Sequence, residues 1–159
     1  MNKKYFAAMF VALLATACTG NKANNADSTA VAGNDSTTVA APDLKGEWDI
    51  ENIVFSDSDY VKPSEAVADA RQYINFEDST YSIHTNCNTI QGSYVMTGDS
   101  IKIEPGLMTE MACDNMATED ALRRILPSIS TIEVQNDSVI RLNGANPAEC
   151  IMLKKAVKK

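Results

Sequence analysis

The chain has 159 residues with 14 basic and 21 acidic side chains, a net charge of −7 that falls to −9 if Lys3 and Lys4 leave with an exported leader. That sign disfavours nucleic acid and anionic lipid headgroups as partners, with Lys154, Lys155, Lys158 and Lys159 a small basic exception, read as a solvated tail with contact to a phospholipid surface or peptidoglycan carboxylates as the alternative. Without its leader and a following polar stretch, roughly 110 residues remain, enough for one domain and too few for two.

Lys3 and Lys4 precede an apolar run from Tyr5 to Ala15, which ends in small residues before Cys18. This is the order of a cleaved export signal, and the run is too short to span a bilayer. Ala15-Thr16-Ala17-Cys18 resembles a lipoprotein lipobox, with Ala15 where Leu, Val or Ile is more usual. Residues 1–17 therefore read as a lipoprotein signal peptide, with acyl chains on Cys18 supplying the membrane attachment. The alternative is an ordinary signal peptide cut near Ala17 with an incidental thiol. Thr19, rather than Asp, follows Cys18, which by analogy with other lipoproteins favours the outer membrane. No acidic run follows to suggest surface display, so the expected orientation faces the periplasm. From residue 18 to 42 the composition is Asn, Ala, Ser, Thr, Asp and Gly without an aromatic side chain, and Asn25–Thr29 is roughly repeated in Asn34–Thr38. Such a stretch cannot bury enough apolar surface to offset its ordering entropy, and reads as a disordered tether with a reach of roughly 25 to 30 Å. A glycosylated or partner-binding Ser/Thr segment is the alternative.

The expected domain covers 43–155. Trp48, Ile50 and, after a shift in phase, Ile53 and Val54 suggest a first strand, followed by an irregular acidic loop through Asp57 and Asp59. Three hairpins follow from alternating apolar residues around Glu77-Asp78-Ser79, Thr97-Gly98-Asp99 and Asn136-Asp137, and a last strand runs from Cys150 to Leu153. Only one segment has helical spacing: after Asp114-Asn115, the side chains of Ala121, Leu122, Ile125, Leu126 and Ile129 share one face. Glu119 with Arg123 and Asp120 with Arg124 are i,i+4 pairs, and Pro127 should end or bend the helix. The elements add up to an α+β, mostly β fold: a curved antiparallel sheet or incomplete small barrel covered by one helix. Residues 156–159 form a basic tail with Lys158 and Lys159.

Leu44-Lys45-Gly46-Glu47-Trp48, then Asn86-Cys87-Asn88 with Gly92-Ser93-Tyr94, then Thr109-Glu110-Met111-Ala112-Cys113 leading into Glu119, Leu122 and Leu126, together resemble the signature of the META domain, the HslJ-like family of bacterial envelope proteins. The resemblance runs from about Leu44 to Lys155. It implies this fold and a small non-catalytic envelope module linked to heat, antibiotic or other envelope stress tolerance. Two positions depart from the family pattern: Asn86 stands where Gly is usual, though Asn tolerates a left-handed backbone, and Glu110 stands where a basic or neutral residue is common.

Cys87, Cys113 and Cys150 lie in the exported part, where thiols oxidise, and three thiols allow one bond and leave one cysteine over. The resemblance implies the pair Cys87–Cys113, because these are the family's two cysteine positions; other pairings stay open. A Cys87 nucleophile with His84 as base is disfavoured, since a three-residue separation places the two on opposite faces of a strand. Met108, Met111, Cys113 and Met116 form a soft-ligand cluster of the kind Cu(I) takes, and His84 with the cysteines has zinc chemistry. Met111 belongs to the family motif, however, and methionines beside a helix start fill core gaps more often than they hold ions, so the expectation is no metal, no cofactor and no catalytic residue. Trp48 and Tyr94 read as core anchors, with lining of a ligand groove as the alternative.

The expected function is binding. Asn86, Asn88, Gln91, Gly92, Tyr94 and Met111 mark a rigid edge where the Asn86–Tyr94 turn meets Met108–Cys113, facing a protein or a small apolar ligand, with a purely stabilising role for these residues as the alternative. The expected species is a monomer. An assembly or secretion accessory, or an inhibitor of a cell-wall hydrolase, is the second class, and a periplasmic copper-binding protein the third.

Overall fold

In a computed structural model, residues 41–157 can be described, so the leader, Cys18, nearly all of the tether and the last two lysines lie outside the described residues. Nine strands and two helices follow in the order β1 (Gly46–Val54), β2 (Tyr60–Val61), α1 (Pro63–Ala66), β3 (Tyr73–Phe76), β4 (Thr80–His84), β5 (Thr89–Thr97), β6 (Ser100–Met108), α2 (Ala117–Ile125), a 3₁₀ turn (Leu126–Ser128), β7 (Ile129–Asn136), β8 (Val139–Gly144) and β9 (Cys150–Lys155).

Along the longer strands inward and outward side chains alternate, and the inward ones are apolar. The shift in phase along β1 is a bulge between Ile50 and Asn52, which lets Trp48, Ile50 and Ile53 all enter the core. Cross-strand pairs then stack in rows: Ile74 opposite Ile83, Phe76 opposite Tyr81, Leu142 opposite Ile151, Ile140 opposite Leu153. All neighbours are antiparallel. Because β1 pairs with β3 on one side and with β9 on the other, the sheet closes on itself through β1 and β3–β9 as an eight-stranded barrel, with β2 an extra short strand beside the end of β1. The curved sheet read from the sequence thus closes on itself, and closure removes exposed strand edges where the strands pair.

Closure is weakest between β6 and β7, where Ser100 opposite Thr131 is the one register pair, reinforced by the Ile132 N–H donating to the Asp99 carbonyl at 2.7 Å. Beyond this point β6 and β7 part, and α2 with its 3₁₀ turn fills the space by burying Leu122, Ile125 and Leu126. The connections at residues 55–72, 85–88, 109–116 and 145–149 all fall at this end of the barrel, as the antiparallel order requires. The opposite end is closed by Leu44, whose carbonyl accepts the Trp48 indole N–H at 2.7 Å, and by an edge-to-face contact of Phe76 with Tyr94 at 5.3 Å. Trp48 and Tyr94 are core anchors.

Three local expectations change. Ile129 is buried as the first residue of β7 rather than on the helix face, because Pro127 lacks the N–H needed to continue the ladder and the chain leaves through the 3₁₀ turn. Glu119 and Arg123 pair as spaced, at 3.1 Å, whereas Arg124 turns from Asp120 to Asp59 at 3.0 Å and stacks over the Phe55 ring at 3.7 Å. Asp59 therefore ties the acidic loop to the helix. A second, four-residue helix, α1, begins at Pro63 and was not signalled by any helical spacing. The helix cap predicts a clear contrast. Leu122→Ala, which empties a fully buried site under α2, should cost about 2 to 5 kcal/mol, whereas Leu107→Ala, at 80% exposure, should stay within about 0.5 kcal/mol; guanidinium denaturation of the oxidised protein measures both.

Candidate functional site

The segment from Thr109 to Met116 has no regular structure, yet it must bring α2 onto the barrel mouth. The turn between β4 and β5 holds it. Thr85 starts that turn: its hydroxyl accepts the N–H groups of Cys87 at 3.1 Å and Asn88 at 2.8 Å and donates to the Asn88 carbonyl at 2.9 Å, a side-chain substitute for a backbone turn. This aims the Asn88 side chain inward, where it is 3% exposed.

The Asn88 amide then uses its donors and acceptor on three neighbours. Its Oδ1 accepts from the Thr109 hydroxyl and the Met111 N–H, both at 2.8 Å, and its Nδ2 donates to the Met111 carbonyl at 2.9 Å and to Glu119 Oε2 at 2.8 Å. Glu119, 1% exposed, accepts from Arg123 Nη2 through its other oxygen at 3.1 Å. A carboxylate buried without partners would be strongly disfavoured; here both oxygens are satisfied and the charge is paired. Asn86 adds a bond from Nδ2 to the Asn115 carbonyl at 2.9 Å, and Asn115 donates to the Ala66 carbonyl at 2.8 Å, joining α1 to the same segment. A disulfide joins Cys87 to Cys113, with Cα atoms 6.0 Å apart. Cys150 is free and buried.

Of the residues singled out from the sequence, Asn86, Asn88 and Met111 meet here around the disulfide. Gln91 and Gly92 lie just along β5, at a bulge where Gly106 and Leu107 of β6 face Gln91. Both glycines are required by close approach: a Cβ on Gly92 would stand 2.4 Å from the Glu104 carbonyl oxygen, and one on Gly106 2.0 Å from that of Gln91. Tyr94 is not part of this edge; its hydroxyl donates to the Glu77 carbonyl at 2.5 Å towards the opposite end of the barrel. Burial, aided by the Asp78 carboxylate, raises its phenol above the ordinary tyrosine range, and burial does the same to Tyr81. Thr85, Thr109 and Asn115 were not singled out as a network, although the Thr-x-x-Asn spacing of Thr85 and Asn88 is a turn signal.

Where β6 leaves β7, the helix does not fill the gap completely. A cavity of about 230 Å³, open on one side, remains between the sheet and the helix, lined by Tyr81, Ile90, Ile103, Met108, Arg123, Leu126 and Pro127 among others. The chemistry of the thiols narrows what else the site can do. Cys87 and Cys113 are bonded to each other, so neither offers a thiolate to a substrate or to a copper or zinc ion. His84 stacks on Tyr73 at 4.7 Å and has Thr89 Oγ1 3.4 Å from its Nδ1. Among the described residues no three His, Cys, Asp or Glu side chains gather as a metal site.

Residues 42–157 match the family model of the META domain. The chain belongs to the META domain family. No curated protein gives a significant match to it. Among solved structures, this META domain is similar to a protein from Burkholderia xenovorans determined by NMR, with a TM-score of 0.60 at 19% identity over 85% of this chain and 99% of that one. It is also similar to a DUF4847 family protein from Bacteroides vulgatus, with a TM-score of 0.51 at 13% identity over 72% of this chain and 95% of that one. A lipocalin-like protein from Bacteroides uniformis gives 0.49 at 16% identity, over 72% of this chain and all of that one. At these identities the likeness is one of fold. In this META domain the Asn-Cys-Asn and Thr-x-Met-Ala-Cys motifs are two halves of one clamp, with Asn88 and Cys87 contributed by the first, and Thr109, Met111 and Cys113 by the second.

The clamp ranks its members. Asn88→Ala would strip a partner from buried Glu119 and release the Thr109–Met111 strap, at a cost of about 3 kcal/mol, while Asn86→Ala, which removes one half-buried bond, should cost about 1 kcal/mol. Chemical denaturation under oxidising conditions should give that order; equal losses would mean that the strap is held by something other than Asn88.

Proposed function

We propose that this META domain is a non-catalytic binding module of the cell envelope, and that it holds a small apolar ligand between sheet and helix. The observation that carries the reading is the cavity of about 230 Å³, walled by residues of β4, β5, β6, the end of α2 and the 3₁₀ turn. One of its lining residues, Arg123, is held by Glu119 and through it by Asn88, so the buried hydrogen-bond network positions part of its wall. An apolar cavity of about 150 Å³ takes benzene, so a single substituted ring or a short aliphatic chain fits this one, and a long-chain lipid does not. The non-catalytic part of the proposal is supported by the commitment of Cys87 and Cys113 to each other, which removes the strongest nucleophile candidate.

Native mass spectrometry of the gently purified protein should show a bound small molecule, and Ile90→Phe, which pushes a ring into the cavity, should release it at an overpacking cost of about 1 to 3 kcal/mol. A ligand that stays bound in the Ile90→Phe protein would place the site elsewhere.

One observation favours a protein partner as a second reading: Leu107 and Met111 are 80% and 59% exposed along the same rigid edge. Photocrosslinking from Gln91 and Glu110 in cells tests it, since partners captured only from the opposite face would remove this edge from consideration.

The proposal places the domain at the outer membrane, facing the periplasm, held by lipid on Cys18 and a tether through residue 42, where it would serve tolerance of envelope stress. The support is the leader pattern ending in Ala15-Thr16-Ala17-Cys18, together with the envelope role that the resemblance to the META domain implies. Metabolic palmitate labelling should mark the wild-type protein and not Cys18→Ala; equal labelling of the two would remove the anchor.

A further inference from the structure

The cavity has one charged side chain on its wall, and its circumstances define the ligand further. We infer, on the footing of the ligand-binding reading above, that the cavity selects a small neutral apolar molecule carrying one hydrogen-bond acceptor, with the acceptor on the Arg123 guanidinium.

Arg123 lines the cavity beside Leu126 and Pro127 and is about half exposed. A guanidinium carries five N–H donors in a rigid fork. Of these, one is engaged by the Glu119 carboxylate, at 3.1 Å. That carboxylate is itself fixed by Asn88, so the fork is positioned by the same clamp that holds the strap. The other polar side chain at the cavity, Tyr81, already donates its hydroxyl to the Glu104 carbonyl at 3.3 Å, and burial raises its phenol so that it stays protonated. Arg123 is therefore the wall's source of donors for a ligand acceptor.

Charge decides between a neutral and an anionic acceptor. Glu119 already balances Arg123, and no second cation stands among the residues that line the cavity. A carboxylate entering this apolar space would lose hydration next to a pair that is neutral as a whole, in a chain of net charge −7. A ketone, ester, amide or ether oxygen gains a charge-assisted hydrogen bond without that desolvation cost. The apolar walls of Ile90, Ile103, Met108 and Leu126 take the remainder of the molecule.

Three probes of nearly equal size separate the terms: acetophenone, ethylbenzene and benzoate, titrated into the purified full chain while the methyl resonances of Ile90, Ile103 and Leu126 are followed by NMR. Acetophenone should bind about tenfold more tightly than ethylbenzene, the size of one charge-assisted hydrogen bond, and benzoate should bind more weakly than acetophenone. Arg123→Met should make acetophenone and ethylbenzene alike. Should that protein fail to fold because Glu119 is left unpaired, the double variant Glu119→Gln with Arg123→Met carries the same expectation. Equal binding of acetophenone and ethylbenzene to the wild type would overturn the role of Arg123 while leaving the cavity as an apolar site. Tightest binding by benzoate would overturn the neutral ligand in favour of an anion. Silence of the three methyl groups with every probe would overturn the cavity as a ligand site, and this inference with it.

Discussion

The rest of the structure depends on the failure of β6 and β7 to stay paired. A closed barrel of small side chains could in principle continue its hydrogen bonds all the way round, but here β6 bulges against Gln91 and ends at Met108 while β7 begins only at Ile129. The twenty residues between them must cover a gap of apolar wall. Helix α2 does this because its apolar face is continuous from Ala121 through Leu126, and because Pro127 turns the chain into β7 immediately afterwards. Burial of that face supplies the driving force, at roughly 25 cal/mol for each square ångström of apolar surface.

A helix of nine residues is too short to be stable without tertiary contacts, and its approach segment has no ladder of its own. Asn88 and the disulfide solve this in different ways. The covalent link limits the unfolded chain, by about 3.5 kcal/mol for a loop of this length on the chain-entropy view. The amide specifies the folded arrangement, since a buried network is favourable only when every member is satisfied. Glu119 illustrates the interdependence: its carboxylate is tolerable in the core only because Asn88 and Arg123 both point at it.

The cavity is a by-product of the same geometry. A helix laid across the place where two strands diverge leaves space beside them, lined by Pro105, Gly106 and Met108 on the β6 side and by Leu126 and Pro127 after the helix. The outer surface carries charge instead: Arg71 bridges Glu47 and Asp49 at 2.7 and 2.6 Å and lies over Tyr73, which in turn stacks on His84. Glu47, Asp49 and Arg71 are about half exposed and pair with one another, beside a wider polar cleft that Lys154 and Lys155 also line.

Much of the fold was legible in the sequence because hydrophobic alternation and turn chemistry are local properties. The bulge in β1, the three hairpins, the single long helix and its stop at Pro127 all follow from residues within a few positions of one another. Family resemblance added the cysteine pair, which spacing alone left among several alternatives. What local reading could not reach was anything decided by distant neighbours. Ile129 fits a helical face equally well until the missing N–H of Pro127 and the pairing of β7 with β8 assign it to a strand. Arg124 has a partner four residues away in Asp120, yet Asp59 and Phe55, brought near by the closed barrel, hold it instead. Tyr94 shares a motif with Asn88 but points to the other end of the barrel, because a strand carries residues apart at about 3.3 Å each. The sequence by itself determined which segments are strands, which is helical and which positions face inward, since those depend on periods of two and 3.6 residues. Tertiary structure alone decided that the sheet closes through β1 and β9, that Asn88 and Glu119 meet, and that a cavity survives beside Arg123, because each of these depends on residues far apart in the chain being packed into one small volume.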